Sequence, residues 1–222
     1  MDWRYNTIWF EQLKADIFYQ QNLDETLKSD IKLVNIEYAI LWHLKESDKL
    51  PESLTTSDNL LYLELNSVSI KNLQIIEKLN SLKRLELHYC TKLENDTGIA
   101  GLKNTLEILH INQSKKFVFT EELLQLENLR VLRINSCAPI ENLEFLKYLP
   151  NLIDFRFVNT TIVNGDLEPI LIHPTISTVG FSNKRHYNFK DIELEEKLNL
   201  KSNREYKTYK YKGDYQTFRY DY

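Results

Sequence analysis

Little in this chain would break it into flexible pieces. Five glycines and five prolines in 222 residues argue against long linkers and disordered segments. Two cysteines, Cys90 and Cys137, are too few for a disulfide framework. Long apolar runs are also missing. The longest, such as Tyr38–Trp42, fall far short of the roughly 20 residues that span a bilayer. The opening MDWRYNTIWFEQLKADIF carries a charge at position 2 and polar interruptions throughout, so it has no apolar centre of the secretory kind. These absences predict a cytoplasmic protein without a membrane partner. There is no glycine-rich phosphate loop, no G-x-S-x-G and no zinc-type cysteine spacing. The sequence therefore offers no enzyme, no metal and no cofactor.

A bulk excess of one charge is lacking too. Lys and Arg number 28 against 32 Asp and Glu, a net of −4, which excludes a generally basic nucleic-acid binder. The balance is uneven along the chain. Residues 1–58 carry 11 acidic against 6 basic side chains, and residues 201–222 carry 3 against 6.

What the chain does have is a repeat. Leu60, Leu82, Leu106, Leu129, Leu152 and Ile176 each open a unit of the form L-x-x-L-x-L-x-x-N/C-x-L. Successive starts lie 22, 24, 23, 23 and 24 residues apart. The L-x-L alternation suits a short strand with one face inward. The second half of each unit runs at helical spacing, as in Ile70, Leu73, Ile76 and Leu79. One such unit cannot bury its apolar side alone, so neighbours must stack into a continuous core.

The pattern resembles the leucine-rich-repeat family over residues 60–190. That resemblance implies an α/β solenoid of about six repeats, curved, with a parallel sheet on its concave side. The usual asparagine corner is held by Val68, Cys90, Ser114, Cys137, Thr160 and Lys184. The first five can fill an inward corner, and lysine cannot easily do so. Cys90 and Cys137 stand two units apart, roughly 9–10 Å between Cα atoms at ordinary strand spacing, which is beyond disulfide reach. Both are read as buried thiols.

A solenoid needs caps at both ends. The sequence is read as one domain: an N-terminal cap over 1–58, repeats over 59–190 and a C-terminal cap over 191–222. Ile8, Trp9, Leu13, Ile17 and Phe18 predict a helix over 8–27. Trp42-x-Leu44 and the 50–54 stretch suggest a degenerate repeat. In the tail, Tyr209-x-Tyr211 and Phe218-x-Tyr220 alternate around Lys-Gly-Asp, which predicts a hairpin laid against the last repeat. The interleaved Lys and Tyr leave open stacking on single-stranded nucleic acid. Lys184, Arg185, His186 and Tyr187 form either a solvated terminal corner or a secondary binding patch. His173 occupies the slot that Leu149 fills one unit earlier, and reads as packing.

On the concave face, period two makes three columns of outward residues. The middle column runs Glu64, Glu86, His110, Arg133, Arg156, from acid to base. The column before it includes Tyr62 and Arg84. The column after it includes His88, Asn112 and Asn135, flanked by Tyr89. These residues are the candidate partner-binding set, with Arg84 expected beside Glu64 and Asp154 beside Arg133. His88 and His110 fall on neighbouring strands, but two histidines with Tyr89 make no metal site without a third ligand.

A further resemblance concerns LHINQSKKF, LRINSC, DFRFVNTTI, DLEPILIHP and VGFSNKRHYN. These stretches are similar to a group of small bacterial leucine-rich-repeat proteins from polymorphic or contact-dependent toxin systems. The resemblance implies an immunity protein, a monomer that binds a cognate toxin domain as a heterodimer and blocks it. A general scaffold or adaptor is the alternative. RNA binding ranks lower.

Overall fold

The computed structural model describes residues 1–23, 35–45, 50, 54, 58–202 and 208–222. The 24–27 end of the expected N-terminal helix and most of the 50–54 stretch lie outside the described residues.

The fold is a leucine-rich-repeat solenoid. One parallel sheet runs in chain order through β1 (Phe18–Asn22), β2 (Tyr38–Trp42), β3 (Tyr62–Asn66), β4 (Arg84–His88), β5 (Ile108–Asn112), β6 (Val131–Asn135), β7 (Asp154–Phe157) and β8 (Thr178–Phe181). The six strands read from the repeat are β3 to β8, and two more precede them. In β2 the inward pair is Ala39 and Leu41, in register with Leu63 and Leu65. Trp42 pairs with Asn66 and faces the other way. The degenerate repeat therefore starts its strand earlier than the Trp42-x-Leu44 reading placed it.

Inward positions of successive strands stack into one core. Leu63, Leu65, Leu85, Leu87, Leu109, Ile111, Leu132, Phe155 and Phe157 are all sealed from solvent. Toward the C-terminal end leucines give way to aromatics, and Phe157 and Phe181 stack at 5.0 Å. On the convex side the helical spacing yields short 3₁₀ turns at Gln74–Ile76, Ile99–Leu102, Leu123–Gln125 and Glu144–Tyr148, and the α-turn α1 (Glu168–Ile172). The corner thiols are buried and free. Burial pushes Cys90 up to about 12 and Cys137 up to about 11, so neither is a ready nucleophile.

Strands β2 to β7 end in the same way. His43, Ser67, Tyr89, Gln113, Ser136 and Asn159 all have φ between +51° and +59°. From His43 to Gln113, the N–H at this position donates to the last carbonyl of the next strand, and Ser136 N–H donates to Val158 O, just past β7. The hydrogen-bonded ladder thus continues one residue past the sheet, and it holds side chains in a left-handed conformation that L-residues rarely adopt.

The expected helix over 8–27 is corrected. Its described part holds only two 3₁₀ turns, Phe10–Gln12 and Ala15–Ile17, and then becomes β1. The C-terminal cap is also rearranged. The last core layer is closed by α2 (Asp191–Lys201), which buries Leu194 and Leu198. The hairpin does form, as β9 (Tyr209–Lys212) and β10 (Tyr215–Phe218). It does not lie on the last repeat. It pairs with the N-terminal segment through Tyr5 and Arg219.

That pairing lays both termini across the concave face as a strap. Asn6 N–H donates to Phe218 O and Tyr220 N–H to Arg4 O. Arg219 binds Asp2 at 2.8 Å. The strap and the sheet share a second apolar cluster: Trp3, Ile8, Tyr38, Ile40, Tyr62, Ile108, Val131, Ile153 and Tyr220. Four of these, Tyr38, Tyr62, Ile108 and Val131, belong to the first concave column.

His173 is buried as expected. One ring nitrogen bonds Leu146 O at 3.1 Å, and the other accepts from the Thr175 and Ile176 N–H groups. Burial lowers its pKa despite those carbonyl contacts. The folded state thus resists protonation more than the unfolded chain does. The His173 contribution is complete above the ordinary histidine pKa of about 6.5 and is lost as pH falls below it. Denaturant titrations at pH 7.5 and 5.5 should show a smaller stability loss on acidification for His173→Gln than for the native sequence.

Candidate binding surface

The strap divides the concave face into two halves. Over the N-terminal ends of the strands the surface is covered. Tyr62 and Arg84 are buried there, and Arg133 is nearly so. Arg84 is the central fastener. Its Nη1 donates to Trp3 O at 2.9 Å and also to Tyr5 O, and its Nη2 donates to Asn6 O at 3.2 Å. Its Nε donates to Glu86 Oε1 at 2.6 Å. The expected partner of Arg84 was Glu64, one strand away. Along a strand, residues i and i+2 share a face, and the shorter reach to Glu86 wins. Glu64 is satisfied by the Tyr62 hydroxyl and by Asn66 Nδ2 at 2.6 Å.

A second fastener uses Arg133, Tyr220 and Asp154. Arg133 Nη2 donates to Asn6 Oδ1 and to the Tyr220 oxygen, each at 2.6 Å. The Tyr220 hydroxyl donates to Asp154 Oδ2. Arg156 Nε reaches Asp154 Oδ1 at 2.9 Å, while Arg133 stands 3.9 Å away. Asp154 is fully buried and holds the like-charged Arg133 and Arg156 beside each other. Burial raises the Tyr220 hydroxyl, and neighbouring Asp154 raises it further, so it stays a proton donor.

The other half is open. Asn66, His88, Asn112 and Asn135 are half-buried, while Tyr89, Gln113, Val158 and Asn159 are exposed. Tyr89 is 51% exposed at φ +57°. Its N–H is anchored to Asn112 O at 3.0 Å, so the ring is displayed from a fixed backbone.

Where the two halves meet, Glu86 and His110 join His88. Glu86 Oε2 is 2.9 Å from His88 Nε2 and 3.5 Å from His110 Nδ1. The two rings meet edge to face at 5.0 Å. The third ligand that the histidine pair lacked in the sequence reading is thus supplied by the strand that carries His88. Burial alone would raise the Glu86 carboxyl. The Arg84 guanidinium and the hydrogen bonds from His110 and His88 override it and hold it well below the carboxylate range. At His88 burial works downward, but the bond and charge of Glu86 win and the pKa is raised. At His110 burial wins and the pKa is lowered.

The Lys184–Tyr187 quartet is split by the structure. Tyr187 is buried, packs on Phe181 at 5.8 Å, and its hydroxyl oxygen accepts from Ile162 N–H at 3.0 Å. Tyr187, one position beyond His186, supplies the apolar contact of the last repeat. His186 bonds Ile162 O at 2.9 Å and packs so closely that Gly165, at φ +70°, has no room for a Cβ. Lys184 is half-buried and Arg185 exposed.

No protein-family model matches the chain, and no curated protein matches it. Among solved structures it is similar to internalin C2 from Listeria monocytogenes, with 24% identity, 68% of this chain and 73% of that chain covered, and a TM-score of 0.47. It is also similar to an internalin, InlF, from the same organism, with 14% identity, 69% and 65% covered, and a TM-score of 0.32. The fold assignment rests on the repeat register and the sheet. Among the described residues, no helix is long and apolar enough to cross a membrane.

Proposed function

We propose that the protein is a non-catalytic protein-binding module that docks its partner on the uncovered half of the concave sheet. Tyr89 carries this reading. A large side chain 51% exposed on a backbone fixed by a sheet hydrogen bond is a preorganised anchor, and tyrosine is enriched at interface hot spots. Around it, Asn112, Asn135 and Gln113 offer donors and acceptors without net charge, and Val158 adds apolar area. Tyr62, Arg84 and Arg133 belong to the strap's own attachment, so they serve the fold and not the partner.

The partner class we favour is a bacterial toxin domain, bound and neutralised in the cytoplasm by one copy of this chain. The similarity of the repeat stretches to immunity proteins supports it. So does the acidic 1–58 region, which would draw a basic partner and speed encounter.

The test is a pull-down from the source cell with native and Tyr89→Ala bait, at low and high salt. A single stoichiometric protein should survive high salt on native bait. Its affinity for Tyr89→Ala should fall at least about 30-fold, the loss of a hot-spot residue at 2 kcal/mol or more. Equal capture by both baits would remove the uncovered half as the docking surface. Recovery of RNA that washes off steeply with salt would replace the protein-partner reading.

A further inference from the structure

We infer that Glu86, His88 and His110 form a binding site for a divalent transition-metal ion of the zinc class. Among the described residues they are the grouping whose donor atoms, one from each side chain, all lie within 4.8 Å of one another. The inference is independent of the partner reading above.

The two distances from Glu86 fit tetrahedral coordination. Ligand atoms at about 2.0–2.1 Å from a tetrahedral Zn²⁺ stand roughly 3.3 Å apart. The Glu86 Oε2 distances to His88 Nε2 and His110 Nδ1 are 2.9 and 3.5 Å, one just inside and one just outside that value. Two imidazoles with one carboxylate is a donor set suited to zinc. Glu86 is already aimed. Arg84 takes its Oε1 at 2.6 Å and leaves Oε2 to face both rings. The carboxylate is about nine-tenths buried, while the His88 and His110 side chains keep 17% and 15% of their surface. A fourth position therefore opens toward solvent, where water can complete the coordination sphere.

The surrounding amides show what binding requires. Asn135 Oδ1 accepts from Val158 N–H at 2.9 Å, which turns its Nδ2 toward His110 Nε2 at 3.2 Å. His110 Nε2 is thus an acceptor, and the ring proton sits on Nδ1, donated to Glu86. Asn112 Nδ2 faces His88 Nδ1 at 3.5 Å and sets the same polarity less firmly. A metal ion must take His110 Nδ1 and His88 Nε2. Each ring then shifts its proton to the nitrogen that faces an asparagine. Asn112 can rotate its amide to accept it. Asn135 cannot do so without abandoning Val158. Metal-bound histidines ordinarily donate their second nitrogen to an acceptor, and such partners are worth about 10–100-fold in affinity. Asn135 therefore acts as a brake on this site, and an aspartate in its place would accept from Val158 and His110 together.

The experiment is titration of the full chain, freed of metal by chelator, with Co²⁺ followed by visible absorption and with Zn²⁺ followed by calorimetry. One ion per chain is expected, with the absorption of tetrahedral Co²⁺ and its displacement by Zn²⁺. His110→Ala should weaken binding at least tenfold, His186→Ala should leave it unchanged, and Asn135→Asp should tighten it about tenfold or more. Absence of stoichiometric binding to the native chain overturns the site. So does binding that persists undiminished in the His88→Ala/His110→Ala chain, which would place the ion elsewhere. Asn135→Asp keeps all three ligands, so the site can be judged even if the histidine variants fail to fold.

Discussion

Replacing Arg84 by methionine should lower the unfolding free energy by about 3–5 kcal/mol, the cost of breaking a buried ion pair by removing one partner. Methionine keeps much of the apolar stem, so the loss reports the charge and its hydrogen bonds. Glu86 would be left buried beside no guanidinium. The carbonyls of Trp3, Tyr5 and Asn6, which Arg84 now satisfies, would lose their donors under a strap that admits little water. Each unsatisfied buried group adds its own desolvation cost. Equilibrium denaturation measures the total. Amide exchange adds a local readout, because protection of residues 3–6 should fall further than protection of β5 or β6. A change below 1 kcal/mol, or a uniform loss of protection, would mean that the strap is held without Arg84, by its apolar contacts and the Arg133, Tyr220 and Asp154 fastener. The same reasoning separates Arg84 from Tyr89. One substitution should cost stability, the other affinity.

The repeat was legible because its period is set by geometry that every unit shares. An inward L-x-L and a small corner residue are what the stacked core requires, and departures such as Cys90 or Thr160 still fill the corner. The concave columns were legible for the same reason, since period two places Glu64 opposite Glu86 and Arg133 opposite Arg156. The strap was not read, although the sequence carried a sign of it. Tyr62, Ile108 and Val131 are apolar on the outward face, and a parallel strand apolar on both faces is one covered on both faces. The alternation of Trp3 and Tyr5 was masked by the helical spacing from Ile8 onward. The hairpin was legible as a hairpin, but no local pattern states what it lies against. That depends on a pairing between residues 5 and 219, at opposite ends of the chain. The Glu86, His88 and His110 grouping was incomplete because the columns, read across the strands, set Glu86 beside His110 and left His88 in another column. Read along β4, Glu86 and His88 stand two residues apart and must share a face.

Ending the chain at Ser202 should lower the melting temperature by about 10 °C or more without unravelling the last repeat. Tyr220 is fully buried, and removing a large buried aromatic costs about 3–5 kcal/mol. At about 2–4 °C per kcal/mol for a domain of this size, that alone gives roughly 6–20 °C. Phe218 and the pairing with residues 4–6 are lost with it. Asp154 keeps Arg156 but loses the Tyr220 hydroxyl. Trp3, Ile108, Val131 and Ile153 then face water as one apolar surface, so a hydrophobic dye should bind the truncated chain and not the native one. The terminal layer should be spared, because α2 and not the hairpin covers Phe181 and Tyr187. Ending the chain at Asn188 instead removes Leu194 and Leu198 from that layer and should give an aggregating protein. Tyr220→Phe isolates the hydroxyl within this effect. It keeps the ring, removes the donor to Asp154 and the acceptor of Arg133, and should cost about 1–3 kcal/mol. A chain ending at Ser202 that melts like the native protein would show that the N-terminal segment holds the concave face unaided. Loss of amide protection in β8 and α2 of that same chain would mean that the hairpin, and not α2, seals the solenoid.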